Sequence, residues 1–187
     1  MPPSKPRTFL SQLWELTRFV LSVLLIVIPI RAFVAKPFIV SGASMYPTFK
    51  DSEYLIVDEL SYLLRTPERG EVAIFKFPKD ESKYFIKRII GLPGETVSIK
   101  DNQVTVKKPN NKTEKIEEPY VQETFDSADV ELTLGPGEYF VMGDNRNVSY
   151  DSRAWGAVSE DLIAGRAFVR LFPPGSVSLL PGAFTAK

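Results

Sequence analysis

Residues 71–95 read EVAIFKFPKDESKYFIKRIIGLPGE, and the fold of the chain is decided here. The segments 71–77 and 84–90 are short runs rich in β-branched and aromatic residues, and proline and glycine separate them from their surroundings. Short runs separated by proline and glycine in this way are typical of strands and turns rather than of helices alternating with strands. Pro93 and Gly94 suit the two central positions of a type II turn, so the second run is predicted to end in a tight turn.

Runs of the same kind recur along the rest of the chain. They cover residues 53–59, 96–99, 139–142 and 167–172. The segment 101–118 is polar, with NNKTEK at its centre, and is predicted to form an exposed hairpin or loop. The sequence therefore predicts a mainly β fold in which residues 36–187 form one domain.

An apolar run precedes this domain. Residues 19–30 read FVLSVLLIVIPI, and the run reaches seventeen residues when it is continued to Ala35. That length just crosses a bilayer if Arg31 extends its charged group to the far interface. Basic residues precede the run, so the positive-inside rule places the N-terminus in the cytoplasm.

These features predict a cytoplasmic segment at 1–16, a single transmembrane anchor at 17–35, and a β-rich domain on the outer (trans) face of the membrane. The alternative is a signal peptide that is removed from the mature protein. A cut after Ala35 would place the large Phe33 three residues before the cut, where a small residue is usual. The retained anchor is therefore favoured, with membrane lipid as a partner.

The composition excludes several classes of chemistry. The 187 residues include no Cys and no His, so the chain has no disulfide, no thiolate zinc site, no cysteine nucleophile and no Ser-His-Asp triad. Proton transfer near neutral pH is left to a carboxylate or to a Lys with a shifted pKa. The 23 basic residues equal the 23 acidic ones, which argues against a nucleic-acid partner. No metal ion and no cofactor are expected.

The segment directly after the apolar run carries a candidate nucleophile. Residues 41–48 read SGASMYPT. Ser44 follows a glycine and small residues, and Pro47 restricts the residue before it to extended geometry, so Ser44 is predicted to lie on a stiff, exposed turn. Taken alone, the pattern is more typical of an ordinary surface loop.

The second run of the opening stretch carries a candidate base. Strand alternation places Phe85, Lys87 and Ile89 on one face. A lysine between two apolar neighbours on its own face is a candidate for burial, and burial favours the neutral amine. The alternative is a lysine that extends from an edge strand into water.

A third cluster follows the apolar segment EYFVM. Residues 143–153 read GDNRNVSYDSR, and Trp155 and Gly156 come shortly after. The cluster is dense in hydroxyl, carboxylate and guanidinium groups, which can fix the position of a neighbouring amine. The alternative is a polar turn rich in Asn and Asp.

Together these clusters resemble the bacterial type I signal peptidases. The matching segments, in the family's order behind an N-terminal apolar run, are SGASMYPT (41–48), RGEVAIF (69–75), IKRIIGLPGE (86–95) and GDNRNVSYDSR with a following WG (143–156). The resemblance runs from about residue 27 to 172, and the short linking segments are similar to the compact cyanobacterial or plastid members. It implies a compact antiparallel β-sheet catalytic domain behind a single transmembrane helix, in a plasma or thylakoid membrane.

The resemblance also implies a Ser/Lys dyad, which fits a chain without His. By motif position Ser44 is the nucleophile and Lys87 is the general base, a role that requires a pKa lowered by desolvation. Ser149 matches the hydroxyl that orients the lysine amine in the family. The residues that match its salt-bridged support around the site are Asp151, Arg153 and Arg88.

Substrate contacts follow from the same resemblance. Gly42 stands where some members carry a Ser whose hydroxyl faces the oxyanion, so the oxyanion hole is expected at Gly42 and Ser44, with the Ser44 N–H as its donor. The residues that match the pocket lining are Phe38, Val40, Met45 and Ile86. Large apolar walls leave shallow pockets that accept Ala and exclude longer side chains, so cleavage is expected after small residues in an Ala-x-Ala-like pattern.

The implied function is that of a membrane-bound serine endopeptidase, which removes signal peptides from exported preproteins through an acyl-enzyme. Two alternatives are considered beside it. A self-cleaving repressor domain shares the Ser/Lys dyad, but it predicts an N-terminal DNA-binding module where this chain has an apolar run. A membrane-tethered β domain that binds a partner without chemistry leaves the Ser44 and Lys87 motifs unexplained.

Overall fold

The computed structural model describes residues 9–33, 35–122, 124, 125 and 128–184. Within these residues a long helix is followed by strands and short helical turns. The helices are α1 (Phe9–Phe33), α2 (Leu60–Leu64) and α3 (Ser152–Trp155). The strands are β1 (Ala35–Ile39), β2 (Tyr54–Asp58), β3 (Val72–Phe77), β4 (Asp80–Gly91), β5 (Thr96–Lys100), β6 (Gln103–Lys107), β7 (Thr113–Lys115), β8 (Val130–Thr133), β9 (Glu138–Met142), β10 (Val158–Ser159), β11 (Ile163–Phe172) and β12 (Ser178–Leu179).

The strands form two sheets. The larger sheet has the order β1-β2-β11-β3-β4-β9-β10, with β12 beside β11, and the smaller sheet has the order β7-β6-β5-β8. Neighbouring strands in the described part of the chain pair antiparallel. The predicted mainly β, antiparallel architecture is confirmed. The division of the chain at residues 16 and 35 stays a prediction.

The stretch 71–95 forms the central strand pair of the larger sheet. β3 and β4 pair in a register that places Ala73 opposite Lys87 and Phe75 opposite Phe85. Gly94 has a φ of 79°, the left-handed conformation that a type II turn requires at its second central position. The sequence therefore predicted both strands and the turn, although β4 begins at residue 80 because the pairing continues into the hairpin.

The segment 101–118 was predicted to be exposed, and this prediction is wrong for its apolar residues. β6 and β7 lie in this segment and belong to the smaller sheet. Val104 and Val106 are buried in one core with Phe140 of β9. Side chains alternate across a strand, so one face of β6 packs inward while the other remains polar.

Strand β4 positions the site because its two halves have different neighbours. Arg88 lies between β3 and β9, opposite Val72 and Met142, and the residues after it continue along β9. Residues 80–87 pair with β3, and their other edge has no pairing strand in the described part of the chain. The segment that follows β9 therefore begins beside Lys87, next to an open strand edge.

Among the described residues, no helix is both long enough and apolar enough to cross a bilayer. The transmembrane span predicted at 17–35 is therefore not supported by the described residues. Residues 1–8 of the predicted cytoplasmic segment and the side chain of Arg31 lie outside the described part of the chain.

Candidate active site

A cleft of about 510 Å³ lies between the end of β1 and the open edge of β4. Its walls include the three apolar residues Phe38, Val40 and Ile86, which the sequence analysis assigned to substrate binding. Ser44 and Lys87 also line it. The cleft therefore brings the candidate nucleophile, the candidate base and most of the predicted pocket wall into one space.

Ser44 and Lys87 are in hydrogen-bond contact. The Nζ atom of Lys87 lies 2.6 Å from the Oγ atom of Ser44. The Lys87 side chain is buried, with 4% of the residue exposed, and its Nζ lies 5.5 Å from the centre of the Phe85 ring. Lys87 is thus held inside the cleft wall and does not extend into water.

Burial changes the protonation of Lys87. Desolvation lowers the pKa of Lys87 from its ordinary value of 10.5 to about 8, because the buried site penalises the ammonium form. The carboxylates of Asp151 and Asp144 raise this pKa and the guanidinium of Arg153 lowers it, but both effects are smaller than desolvation. A substantial fraction of the amine is therefore neutral at mildly alkaline pH and able to accept a proton from Ser44.

The loop that carries Ser44 is held by a carboxylate. The Gly42 N–H donates to Oδ1 of Asp51 at 2.7 Å, and Gly42 has a φ of 89°, a conformation that favours glycine. This hydrogen bond lowers the pKa of Asp51. The Gly42 N–H is consequently occupied and does not face the cleft as a free donor, which corrects the expectation that Gly42 contributes to the oxyanion hole.

Asp151 anchors the turn that follows β9. Its fully buried carboxylate accepts from Nε and Nη2 of Arg153 at 2.8 and 2.9 Å, and from the Gly143 N–H at 3.1 Å. It also accepts from the Arg153 N–H, as the N-cap of α3. Asp151 and Arg153, two of the residues expected in a salt-bridged support, pair with each other, and the bond from the Gly143 N–H joins the two ends of the turn 143–153.

Arg88 is paired with Asp144 rather than with Asp151. Its Nε and Nη2 donate to the two carboxylate oxygens of Asp144 at 2.8 and 2.6 Å, and both side chains are almost fully buried. The Thr48 hydroxyl donates to the same carboxylate. Arg88 therefore supports the nucleophile loop through Asp144 and makes no bond to Asp151, because the two carboxylates lie at opposite ends of the turn.

The turn also contacts the nucleophile loop directly. The Asn145 N–H donates to the carbonyl oxygen of Ser44 at 3.0 Å, and its side-chain amide donates to the carbonyl oxygen of Ala43 at 3.2 Å. The backbone around the candidate nucleophile is therefore tied to the same turn that Asp144 and Asp151 hold in place.

Two predicted site residues do not make the contact that was expected of them. Ser149 is close to Gly143, but its Oγ is buried and has no hydrogen-bond partner, so the predicted bond to the Lys87 amine is not formed. Met45 is 1% exposed and packs with Phe49 in a core cluster. Met45 belongs to the same core cluster as Val40, against which Phe38 and Ile86 also pack, but it does not itself line the cleft.

Three residues that support the site were missed at the sequence level. Glu118 forms a bidentate ion pair with Arg146, whose Nε also donates to the carbonyl oxygen of Gly143. The ring of Tyr120 lies 3.9 Å from the guanidinium carbon of Arg88. Glu118 and Tyr120 belong to the segment that connects β7 to β8 of the smaller sheet, and no local pattern indicated that this segment reaches the turn 143–153.

The described residues hold no cluster of acidic side chains arranged as a metal site. What the cleft offers is a hydroxyl, a partly neutral amine and apolar walls. This combination fits acyl transfer by a serine nucleophile, with the amine as general base.

Comparison with known proteins identifies relatives over most of the chain. Residues 13–172 match the family model described as signal peptidase, peptidase S26. A probable signal peptidase I-2 from Synechocystis sp. is 40% identical over 177 residues, which cover 89% of this chain and 76% of the relative. Signal peptidase I U from Bacillus subtilis is 38% identical over 174 residues, covering 86% of this chain and 90% of the relative. A chloroplastic thylakoidal processing peptidase 1 from Arabidopsis thaliana is 34% identical over 158 residues, covering 79% of this chain and 45% of the relative.

Proposed function

Because the chain belongs to the signal peptidase family, peptidase S26, and is a signal peptidase I that removes signal peptides, we propose that Ser44 is its nucleophile and Lys87 its general base. The observation that carries this proposal is the 2.6 Å contact between Lys87 Nζ and Ser44 Oγ inside the cleft. The two alternatives, a repressor domain and a binding domain without chemistry, are not favoured by these relatives.

The proposed reaction has two proton-coupled steps. In the first, the neutral Lys87 amine takes the proton of the Ser44 hydroxyl while Oγ attacks the scissile carbonyl carbon, with the Ser44 N–H as a donor to the oxyanion. The C–N bond then breaks, and the Lys87 ammonium returns its proton to the leaving amine. In the second step Lys87 takes a proton from water, the hydroxide attacks the ester, and the proton returns to Ser44 as the signal peptide leaves.

The two strand edges beside the cleft give the substrate a place to bind. The edge of β4 at residues 80–87 carries no strand in the described part of the chain, and β1 is the terminal strand of the larger sheet. An extended peptide that enters between them makes backbone hydrogen bonds to a free edge. Its side chains then meet Phe38, Val40 and Ile86, whose bulk leaves room for small residues.

Cleavage of a purified preprotein tests this function. We expect the enzyme to cut after an Ala-x-Ala sequence and to release the mature protein with a single new N-terminus, read by N-terminal sequencing. Replacing the Ala before the cut by Leu is expected to lower kcat/KM roughly 100-fold or more, because the apolar walls leave no space for the longer side chain. Equal cleavage of both substrates would contradict the assignment of the pocket walls.

The relatives, a thylakoidal processing peptidase among them, indicate a membrane-associated enzyme. We propose that α1 holds it at the bilayer, with the catalytic domain on the outer face. The support for this proposal is that apolar side chains stand exposed along the helix without packing on the sheets, among them Trp14, Phe19 and Leu25. A helix of this kind is stabilised by transfer of its apolar surface into lipid.

Extraction of membranes tests the role of α1. We expect the full chain to stay with the membrane pellet at alkaline pH, and the mature protein to retain the residues before Lys36. Protease added from the outer side is expected to degrade the catalytic domain and to spare a tag at the N-terminus. A mature protein that begins at Lys36, or a full chain that is released by alkaline washing, would contradict the anchor.

A further inference from the structure

The C-terminal tail supplies contacts to the active site from beyond the matched region. The family match ends at residue 172, and residues 180–184, here called the tail, lie outside it. The carbonyl oxygen of Gly182 accepts a hydrogen bond from Nη1 of Arg88, across 94 residues of sequence. The same Nη1 donates to the carbonyl oxygen of Gly70 at 2.7 Å. Arg88 is 1% exposed, so the tail helps to satisfy a guanidinium that water does not reach.

The tail is tightly packed at this point. Gly182 has a φ of 74°, and a Cβ atom placed on it would lie 2.5 Å from Cγ2 of Thr48 and 3.4 Å from Nη2 of Arg88. The Phe184 ring meets the Tyr120 ring edge-on at 5.7 Å, and Tyr120 in turn covers the Arg88 guanidinium. A larger residue at position 182 therefore cannot be accommodated without moving either the tail or the nucleophile loop.

We propose that the tail is a positioning element of the active site. Its Gly182 carbonyl holds Arg88, the Arg88 guanidinium holds Asp144, and Asp144 holds Thr48 in the nucleophile loop. This chain of contacts sets the position of Ser44 relative to Lys87, which neighbours Arg88 on β4. The proposal rests on the proposed roles of Ser44 and Lys87.

Two physical effects make the catalytic step sensitive to the tail. A buried guanidinium that loses an acceptor must find another, and the movement is transmitted to Asp144 because two parallel hydrogen bonds join them. Proton transfer from Ser44 to Lys87 depends on a contact of 2.6 Å, and displacement by about 1 Å costs on the order of 100-fold in rate. Substrate binding at Phe38 and Val40 is remote from the tail, so KM is expected to be little affected.

Substitution of Gly182 by alanine in the full-length enzyme tests the proposal, with Gly175→Ala as the matched control. Gly175 lies in the same C-terminal region and has no neighbouring atom within 4 Å of an added Cβ. We expect Gly182→Ala to lower kcat about 10- to 100-fold with KM within about twofold, and Gly175→Ala to leave both unchanged. The midpoint of the pH–rate profile is expected to shift in Gly182→Ala, because displacement of Arg88 moves the Asp144 carboxylate, one of the charges that raise the pKa of Lys87.

A second substitution separates positioning from loss of folding. Thr48→Ser removes the Cγ2 methyl group that an added Cβ at position 182 would meet and keeps the hydroxyl that donates to Asp144. In the Gly182→Ala background it is expected to restore part of kcat.

Phe184→Ala loosens the tail without a clash and is expected to lower kcat by a smaller factor than Gly182→Ala does. Unchanged kcat and pH midpoint in both Gly182→Ala and Phe184→Ala would overturn the proposal. Failure of the dyad itself has a different signature, since Lys87→Ala would then retain activity.

Discussion

Replacing Lys87 by arginine is expected to abolish cleavage as completely as replacing it by alanine, with a loss of about 10³-fold or more in kcat. The base must accept a proton from Ser44, and a guanidinium stays protonated at any useful pH. The positive charge and most of the side-chain length are kept in this variant, so charge and packing alone do not explain the loss. Lys76→Arg is the matched control, because Lys76 also lies on a strand but is half exposed and far less constrained.

The pH dependence of the unmodified enzyme gives a second test of the same residue. Burial lowers the pKa of Lys87 to about 8, so the neutral amine gains population as the pH rises through that value. The rate is therefore expected to rise with pH through one ionisation near pH 8 and then to level off. A profile of kcat/KM against pH measures this directly. Substantial activity in Lys87→Arg, or a rate that does not change between pH 6 and pH 9, would remove Lys87 from the role of base.

Replacing Ser44 by alanine is expected to lower kcat by at least about 10⁴-fold, because no other hydroxyl of the described residues contacts the Lys87 amine. The fold is expected to survive. The substitution leaves the buried amine of Lys87 without its acceptor, which costs about 1 kcal/mol in the free energy of unfolding. Activity on a signal-peptide substrate and the unfolding midpoint are measured on the same preparation.

Ser98→Ala serves as the control for Ser44→Ala. Ser98 lies on β5 in the smaller sheet, away from the cleft, and its replacement is expected to change neither activity nor KM. Turnover by Ser44→Ala at a rate comparable with that of the control would exclude Ser44 as the nucleophile. Because the chain has no His and no Cys, the nucleophile would then have to be another hydroxyl group.

The local sequence predicted which residues form the site better than it predicted how their side chains are arranged. The absence of His and Cys left a carboxylate or a Lys as the candidate base, and the alternation of Phe85, Lys87 and Ile89 made this lysine a candidate for burial. The alternation shows which residues share a face with Lys87, and the structure shows that this face is buried and that the pKa of Lys87 is lowered. The strands of the larger sheet were predicted for the same reason, since alternation and turn residues are local signals.

Predictions that depended on the direction of a single side chain were less successful. Met45 was assigned to the substrate pocket, but it is buried in the core cluster that packs against the cleft wall and does not line the cleft itself. Gly42 was assigned to the oxyanion hole, but its N–H is taken by Asp51, which lies nine residues away. Loops have no fixed period, so the direction of a side chain or an N–H group in a loop cannot be read from its spacing.

The sequence by itself determined the chemistry of this protein: a hydroxyl, a lysine on an apolar strand face, and a turn rich in charged groups, ordered as in the signal peptidases. Only the tertiary structure decided how these groups are supported. Arg88 pairs with Asp144 across 56 residues and reaches Gly182 across 94. Such pairs depend on which strands are neighbours in the sheet and on where the chain runs after its last long strand. Local propensity predicts neither the strand neighbours nor the path of the tail. The free energy that fixes both comes from burial and hydrogen bonding between segments that meet only in the folded chain.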